Sequence, residues 1–460
     1  MIKSSKHDLL NSPIKKTVNR MAIPMLFSFS FNIIYNLSDT FFVSKLGEKP
    51  LAAMSFTFPI VMSVFSILMG ISSGTSSIIS RSTGKNIKQD PSITKKISGD
   101  ILIFSLITAF FMAIIGLLSE KYVFSFMGAK GETLILIHEY MKFWYLSLPF
   151  FILLFIGNTI MRSLGDAKTP AIIMFTGIMG NIILDPIFIF GFWFIPKMGI
   201  AGASLATLTS RILTNFLAFY ILFKKKKALS SNIRNIKKMI ESWKELLYIS
   251  IPATASNLLN PISGFIITKI IASHSEIAVA AYGVGGRIDG LAMIPAVALN
   301  SALVPIIGQN MGAKQYQRIM GAIKYAMKLL FIWAIFASIA IIFFSSNLAQ
   351  IFNESNEGIK ITSLYLKIIP ISYFSIFYFA INNYIFYAIK KPYNSLYLIF
   401  TKMIILVIPL VYLGSYLDGV RGIFIGLSVS AVIASVISFF KFNKSWKKWR
   451  EYARENKQNN

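Results

Sequence analysis

Apolar residues along this chain come in long runs separated by short polar segments rich in lysine and arginine. Twelve runs, among them Ile101 to Leu118, Pro170 to Phe194 and Ile323 to Phe344, approach the roughly 20 apolar residues that a helix needs to cross the hydrocarbon layer. The apolar–polar alternation of membrane barrel strands, recurring about every 10 residues, is missing. Backbone polar groups inside a bilayer must then be paired within helices. The pattern predicts an all-α integral membrane protein with twelve transmembrane helices. Composition agrees: 55% of residues are hydrophobic and only 14% charged, which excludes a soluble domain.

The polar segments alternate in charge. One set carries Arg81, Lys85, Lys88, Lys95 and Lys96, then Arg162 and Lys168, then Lys224 to Lys227 with Arg234, Lys237 and Lys238. It continues with Lys314, Arg318, Lys324 and Lys328, then Lys390 and Lys391, and ends in the tail from Lys441 to Lys457. In the other set Glu48, Glu120, Glu132, Glu276, Glu354, Glu357 and Asp418 offset scattered bases. Cytoplasmic loops hold the excess of Lys and Arg, so both termini are expected in the cytoplasm of a protein of the cell membrane. The net charge of +27 then reads as orientation and contact with anionic lipids at the cytoplasmic loops, not as a nucleic-acid surface. No cleavable signal follows the basic N-terminus, so the first helix is expected to be retained. Cysteine is absent and His7, His138 and His274 are far apart, so no metal centre is expected. No other cofactor is expected either, and the chain is expected to be a monomer.

Two halves repeat. Pro24 and Pro252, Asn32 and Asn260, Ala52-Ala53 and Ala280-Ala281, and Gly84 and Gly312 all share one and the same separation. Later pairs drift slightly from it: Pro149 with Pro370, Pro170 with Pro392, and Gly199-x-x-Gly202 with Gly419-x-x-Gly422. Six spans on either side give each half an even number, so both insert the same way up, as two six-helix bundles related by a parallel repeat. The boundaries expected are 1–223 for the first lobe, 224–245 for a basic cytoplasmic linker, 246–442 for the second lobe and 443–460 for a basic cytoplasmic tail.

Polar residues inside the spans narrow the chemistry, since an ionised side chain in a bilayer is costly unless paired or hydrated. Two acids, Asp39 and Asp185, stand clearly within spans. Asn32, Tyr35, Asn36 and Asp39 recur at spacings of three and four, a polar stripe on one face of the first helix. Asn181 is one turn from Asp185 on the fifth, and Asn158 on the fourth and Thr207 on the sixth are candidates to complete the cluster. The second-half counterpart of Asp39 is Ile267, and the region matching Asp185 is the apolar Leu406-Val-Ile-Pro409, so coupling chemistry is expected in the first lobe alone. Arg211, Lys269 and Lys402 read as long side chains snorkelling to the edge, with Arg211 also placed to pair with an acid. Pro24 interrupts the hydrogen-bond ladder of the first helix about four turns before Asp39 and marks a hinge. No phosphate-binding Gly-x-x-x-x-Gly-Lys-Ser/Thr occurs, and Gly283-x-Gly285-Gly286, at an expected helix start, follows no strand; an enzyme is not expected.

Taken in order, Asn32-Ile-Ile-Tyr-Asn-Leu-Ser-Asp39-Thr-Phe-Phe-Val-Ser-Lys-Leu-Gly47, Arg162-Ser-Leu-Gly165-Asp166-Ala-Lys168-Thr-Pro170, Asn181-Ile-Ile-Leu-Asp185-Pro186, Gly199-Ile-Ala-Gly202 and Pro305-Ile-Ile-Gly308-Gln309-Asn310-Met-Gly312 resemble the multidrug and toxic compound extrusion family. They cover nearly the whole chain. One departure is the segment before Pro392, which lacks a counterpart of Gly165. The resemblance implies a secondary active exporter that alternates access and exchanges amphipathic organic cations for protons or sodium ions bound at Asp39 and Asp185. It also implies that protonation of Asp39 bends the first helix and closes the first-lobe cavity. Two other readings stay open: a flippase for a lipid-linked oligosaccharide in the same superfamily, which would want basic residues lining its cavity, and a membrane scaffold or sensor that moves nothing.

Overall fold

The computed structural model describes residues 8–86, 90–193, 195–222, 229–230, 235–352 and 355–458. Much of the basic linker expected at 224–245, with His7, Lys88 and Glu354, lies outside the described residues. Six long helices lead the chain: α1 (Ile14–Ser44), α2 (Glu48–Asn86), α3 (Pro91–Phe126), α4 (Gly131–Ser163), α5 (Lys168–Phe190) and α6 (Gly199–Tyr220). Six more follow: α7 (Ile236–Ala272), α8 (Glu276–Gly312), α9 (Tyr316–Phe343), α10 (Asn356–Ala388), α11 (392–417) and α12 (420–458). α11 and α12 run together except at Asp418 and Gly419, whose backbone is not helical. Among the described residues, nine helical stretches, α11 and α12 counted as one, are long and apolar enough to cross a membrane; α6 and α7 are more polar and complete the twelve.

Local chemistry sets the ends of these helices. Asp90 caps α3, its carboxylate accepting from Ser92 N at 2.8 Å with Pro91 at the first helical position. Hydrogen bonds from the Ser92 hydroxyl and amide hold the Asp90 carboxyl below its ordinary range. Ser275 and Ser355 cap α8 and α10 in the same way. Each Gly-x-x-Gly motif has one job in both halves. Gly199 and Gly419 turn the chain at φ of 57° and 52°, and Gly202 and Gly422 let two backbones meet. A Cβ at Gly202 would lie 2.4 Å from Phe188 O of α5, and one at Gly422 would lie 2.0 Å from Gly414 O of α11.

The turn that lacks its glycine keeps its shape. In the first half Gly165 (φ 95°) is followed by Asp166 N donating to Met161 O at 3.0 Å. In the second half Lys390 takes the left-handed position at φ 61°, and Lys391 N donates to Phe386 O at 2.9 Å. The same closing bond thus recurs at the repeated turn, with a lysine carrying the strain that glycine avoids.

Compactness divides the chain differently from the repeat boundaries. One unit is Ile23–Ser250; the other is Ile251 onward together with the segment that ends at Ala22. Each of α1 and α7 therefore changes unit within a continuous helix, at repeat-related points next to Pro24 and Pro252. Inside the first unit, Trp243 Nε1 donates to Asp100 O at 2.8 Å and Ser242 Oγ to Asp100 Oδ2 at 3.1 Å. Inside the second, Arg318 Nη2 donates to Ser12 O at 2.6 Å and Asn310 Nδ2 to Leu9 O at 3.1 Å. The most interior helix of the first unit is α4, and of the second α8. α10 is broken by a 3-10 turn at Ile369–Ser372 around Pro370, and α11 by a π-helical stretch at Thr401–Val407. Ser338 Oγ of α9 satisfies Pro370 O, and Ser428 Oγ of α12 satisfies Ile368 O at 3.3 Å.

Candidate functional site

α6 is pinned to α5 at two points, by the close approach of Gly202 to Phe188 and by Ser210 Oγ donating to Gly177 O at 2.6 Å. Thr207 stands between them. Its Oγ1 lies 3.2 Å from the Tyr35 hydroxyl of α1 and 3.4 Å from Asn181 Nδ2 of α5, and Asn181 Nδ2 also donates to Asp185 Oδ1 at 3.2 Å. Asp39, one turn beyond Tyr35, is buried, and Asp185 is fully so. The two carboxylates act on one another electrostatically, as does Tyr140 of α4 on both. Three helices thus bring Tyr35, Asp39, Asn181, Asp185 and Thr207 into one cluster within the first unit.

Arg211 belongs to the cluster as well. Its Nη1 donates to Ser147 Oγ of α4, its guanidinium lies 4.2 Å from the centre of the Phe151 ring, it hydrogen-bonds Tyr35, and its charge acts on Asp39. The expectation that it snorkels to the membrane edge is therefore corrected. One turn beyond Thr207 on a helix pinned to α5, it points inward, and its planar fork and stacking surface suit such a site. Lys402 Nζ lies 4.9 Å from the centre of the Phe379 ring.

The remaining expected members are placed as follows. Asn32 is on the exposed side of the α1 stripe, and the side chain of Asn36 lies outside the described residues. Asn158 is buried on α4, but nothing among the described residues joins it to the two acids. Pro24 lies within an unbroken α1, with Ser28 Oγ bonded to its carbonyl at 2.9 Å.

The electrostatic balance is uneven: two carboxylates face one guanidinium. Moreover Asp39 Oδ1, Asp185 Oδ2 and Asn181 Oδ1 are buried acceptors with no donor among the described residues. Buried acceptors nearly always find a partner, and leaving one unmet costs about 1–3 kcal/mol. The donor set, carboxylate and amide oxygens with a hydroxyl nearby, suits a proton or a hard monovalent cation.

The model of the MatE family matches residues 24–187 and again 252–413, once in each half. The chain belongs to the MatE family. It is a multi-pass membrane transporter and not an enzyme, and the two matched segments begin at Pro24 and Pro252, a pair of the repeat. It is 34% identical over 441 residues to a protein of Shewanella oneidensis named FAD transporter, covering 95% of this chain and 96% of that one. It is 27% identical over 362 residues to the Multidrug export protein MepA of Staphylococcus aureus, 78% of each chain. The crystal structure of the Vibrio cholerae MATE transporter VcmN in the bent form superposes with a TM-score of 0.89 at 28% identity, covering 95% of this chain and 98% of that one.

An acid of the second lobe escaped the reading of the sequence. α8 begins at Glu276 and not at the glycines 283–286, so Asp289 lies more than three turns inside the helix. Its Oδ2 accepts from the Tyr365 hydroxyl at 2.5 Å and its Oδ1 from the Tyr373 hydroxyl at 2.6 Å. The length of the apolar run around it was the available signal. The glycines masked it.

Proposed function

We propose that this transporter is an exporter that works as a cation antiporter, with Asp39 and Asp185 holding the coupling proton or sodium ion and an amphipathic organic cation as its cargo. The three buried oxygens with no donor, beside an excess of negative charge, carry the reading: they call for one further positive charge, which an inward-moving cation supplies and a departing cation displaces. Pro24, which withdraws a backbone donor from α1, is the hinge through which the state of Asp39 reaches the helix. The protein sits in the cell membrane with both termini in the cytoplasm, on the loop-charge argument.

A second reading concerns cargo alone. The relative that is 34% identical across 95% of this chain is named a FAD transporter, and a flavin dinucleotide is an anion that would seek cationic side chains such as Arg211 or Lys402. Purified protein in vesicles, with pH and sodium gradients imposed separately, separates these. Efflux of a cationic dye driven by one gradient and abolished with it is the expected result. Dye movement indifferent to both gradients would overturn the antiport, and FAD moving where the dye does not would replace the cargo.

A further inference from the structure

Asp289 lies in a setting unlike that of the first-lobe acids. Tyr365 and Tyr373 come from either side of the 3-10 turn in α10, so each oxygen of one carboxylate is tied to a different part of that broken helix. Both tyrosines are buried; the Tyr365 ring meets Phe424 edge-on at 5.0 Å and Tyr282 at 5.9 Å, and the Tyr373 ring stacks on Phe377 at 5.7 Å. Gly285 makes room for this, since a Cβ there would lie 2.3 Å from the Tyr365 ring. The two hydroxyl donors of this clamp stabilise a negative charge between them.

No basic side chain pairs with that charge among the described residues. The groups acting on Asp289 are Tyr282 on its own helix, Tyr365 and Tyr373; Arg287, two positions before it, is exposed and projects about 160° round the helix, beyond Gly283, Gly286 and Gly290 as seen from Asp289. Two hydroxyls use two of the roughly four acceptor directions of a carboxylate, and Asp289 is half-buried. Beside it runs a strip without side chains: Gly283, Gly286 and Gly290 are exposed, and a Cβ at any of them meets nothing within 4 Å. A carboxylate with no cationic partner, backed by buried tyrosine rings and flanked round the helix by open space over the glycines, fits a bulky positive charge.

We propose that Asp289, Tyr282, Tyr365 and Tyr373, with the glycine strip of α8, form a second-lobe binding site for the positively charged head of an organic cation. The site deepens the export reading and rests on it for its cargo class, but binding is measurable without transport. The probe is ethidium, titrated by fluorescence anisotropy into purified protein in detergent. Asp289→Asn is expected to weaken binding about tenfold or more, and Tyr365→Phe less, while thermal unfolding stays near wild type. Gly286→Leu, whose Cβ enters open space, is expected to block the probe as strongly, and it carries the test should Asp289→Asn fail to fold. Affinity unchanged in Asp289→Asn or in Gly286→Leu overturns the site and leaves export of cations standing. Wild-type protein that does not bind ethidium at all overturns the site together with the cargo reading.

Discussion

The two lobes share their turns but not their charges. Gly199 and Gly202 are matched by Gly419 and Gly422 in conformation and contact, and Gly165 is matched by Lys390 in conformation and in the hydrogen bond that closes the turn. By the spacing of the nearest repeat pairs, Asp39 maps to Ile267, Thr207 to Leu427 and Arg211 to Ala431, while Asp289 maps back to Val61, Tyr365 to Trp144 and Tyr373 to Ile152. Backbone geometry is thus duplicated while each polar cluster is peculiar to its lobe. The first cluster is a mixed-charge network with acceptors to spare; the second is one anion held by neutral hydroxyls. On the functions proposed above, the first cluster exchanges a small cation and the second receives the head of a larger one.

The sharpest way to break this contrast is to neutralise the first-lobe acids. Asp39→Asn and Asp185→Asn keep size and hydrogen bonding, and each is expected to lower gradient-driven dye export about tenfold or more, with the double substitution adding little if the pair acts as one unit. Ile267→Asn, at the counterpart position, is expected to leave coupling nearly intact. Wild-type export rates in both aspartate variants would make the acids structural. Arg211→Met comes next: it strands two carboxylates near each other and is expected to cost about 3 kcal/mol, read as a lower midpoint of thermal unfolding, with Arg211→Lys losing less. A neutral result would remove the guanidinium from the cluster. The smallest effect tests the shared turns. Lys390→Gly is expected to stabilise the protein by about 1 kcal/mol, and Gly165→Ala to destabilise it by a similar amount, both by thermal unfolding.

The helices, the repeat and the core of the first-lobe cluster were legible in the sequence because periodicity reports them. Tyr35 and Asp39, or Asn181 and Asp185, share a face by spacing alone, and the bilayer forces each apolar run into a helix. Arg211 was harder. Spacing places it below Thr207 but does not reveal whether its long side chain turns inward or out to the edge; the pinning of α6 on α5 at Gly202 and Ser210 decides that. Asp289 was hidden because its partners are 76 and 84 residues away on a helix broken by Pro370. Lys390 was invisible for another reason: a left-handed lysine breaks the residue preference from which turns are read.

The change of unit within α1 and α7 bears on how the chain is made. As the polypeptide emerges, residues 23–222 cannot complete their unit until the segment up to Ser250 has been synthesised. The segment ending at Ala22 waits longer still, for Asn310 and Arg318, which bond to Leu9 and Ser12 from 301 and 306 residues away. Each half thus withholds an arm from itself and lends it to the other, so a half-length ancestor with this exchange would have been satisfied only as a pair of copies swapping N-terminal arms. Fusion of the genes would have turned that swap into an intramolecular one, raising the effective concentration of each arm without altering a contact.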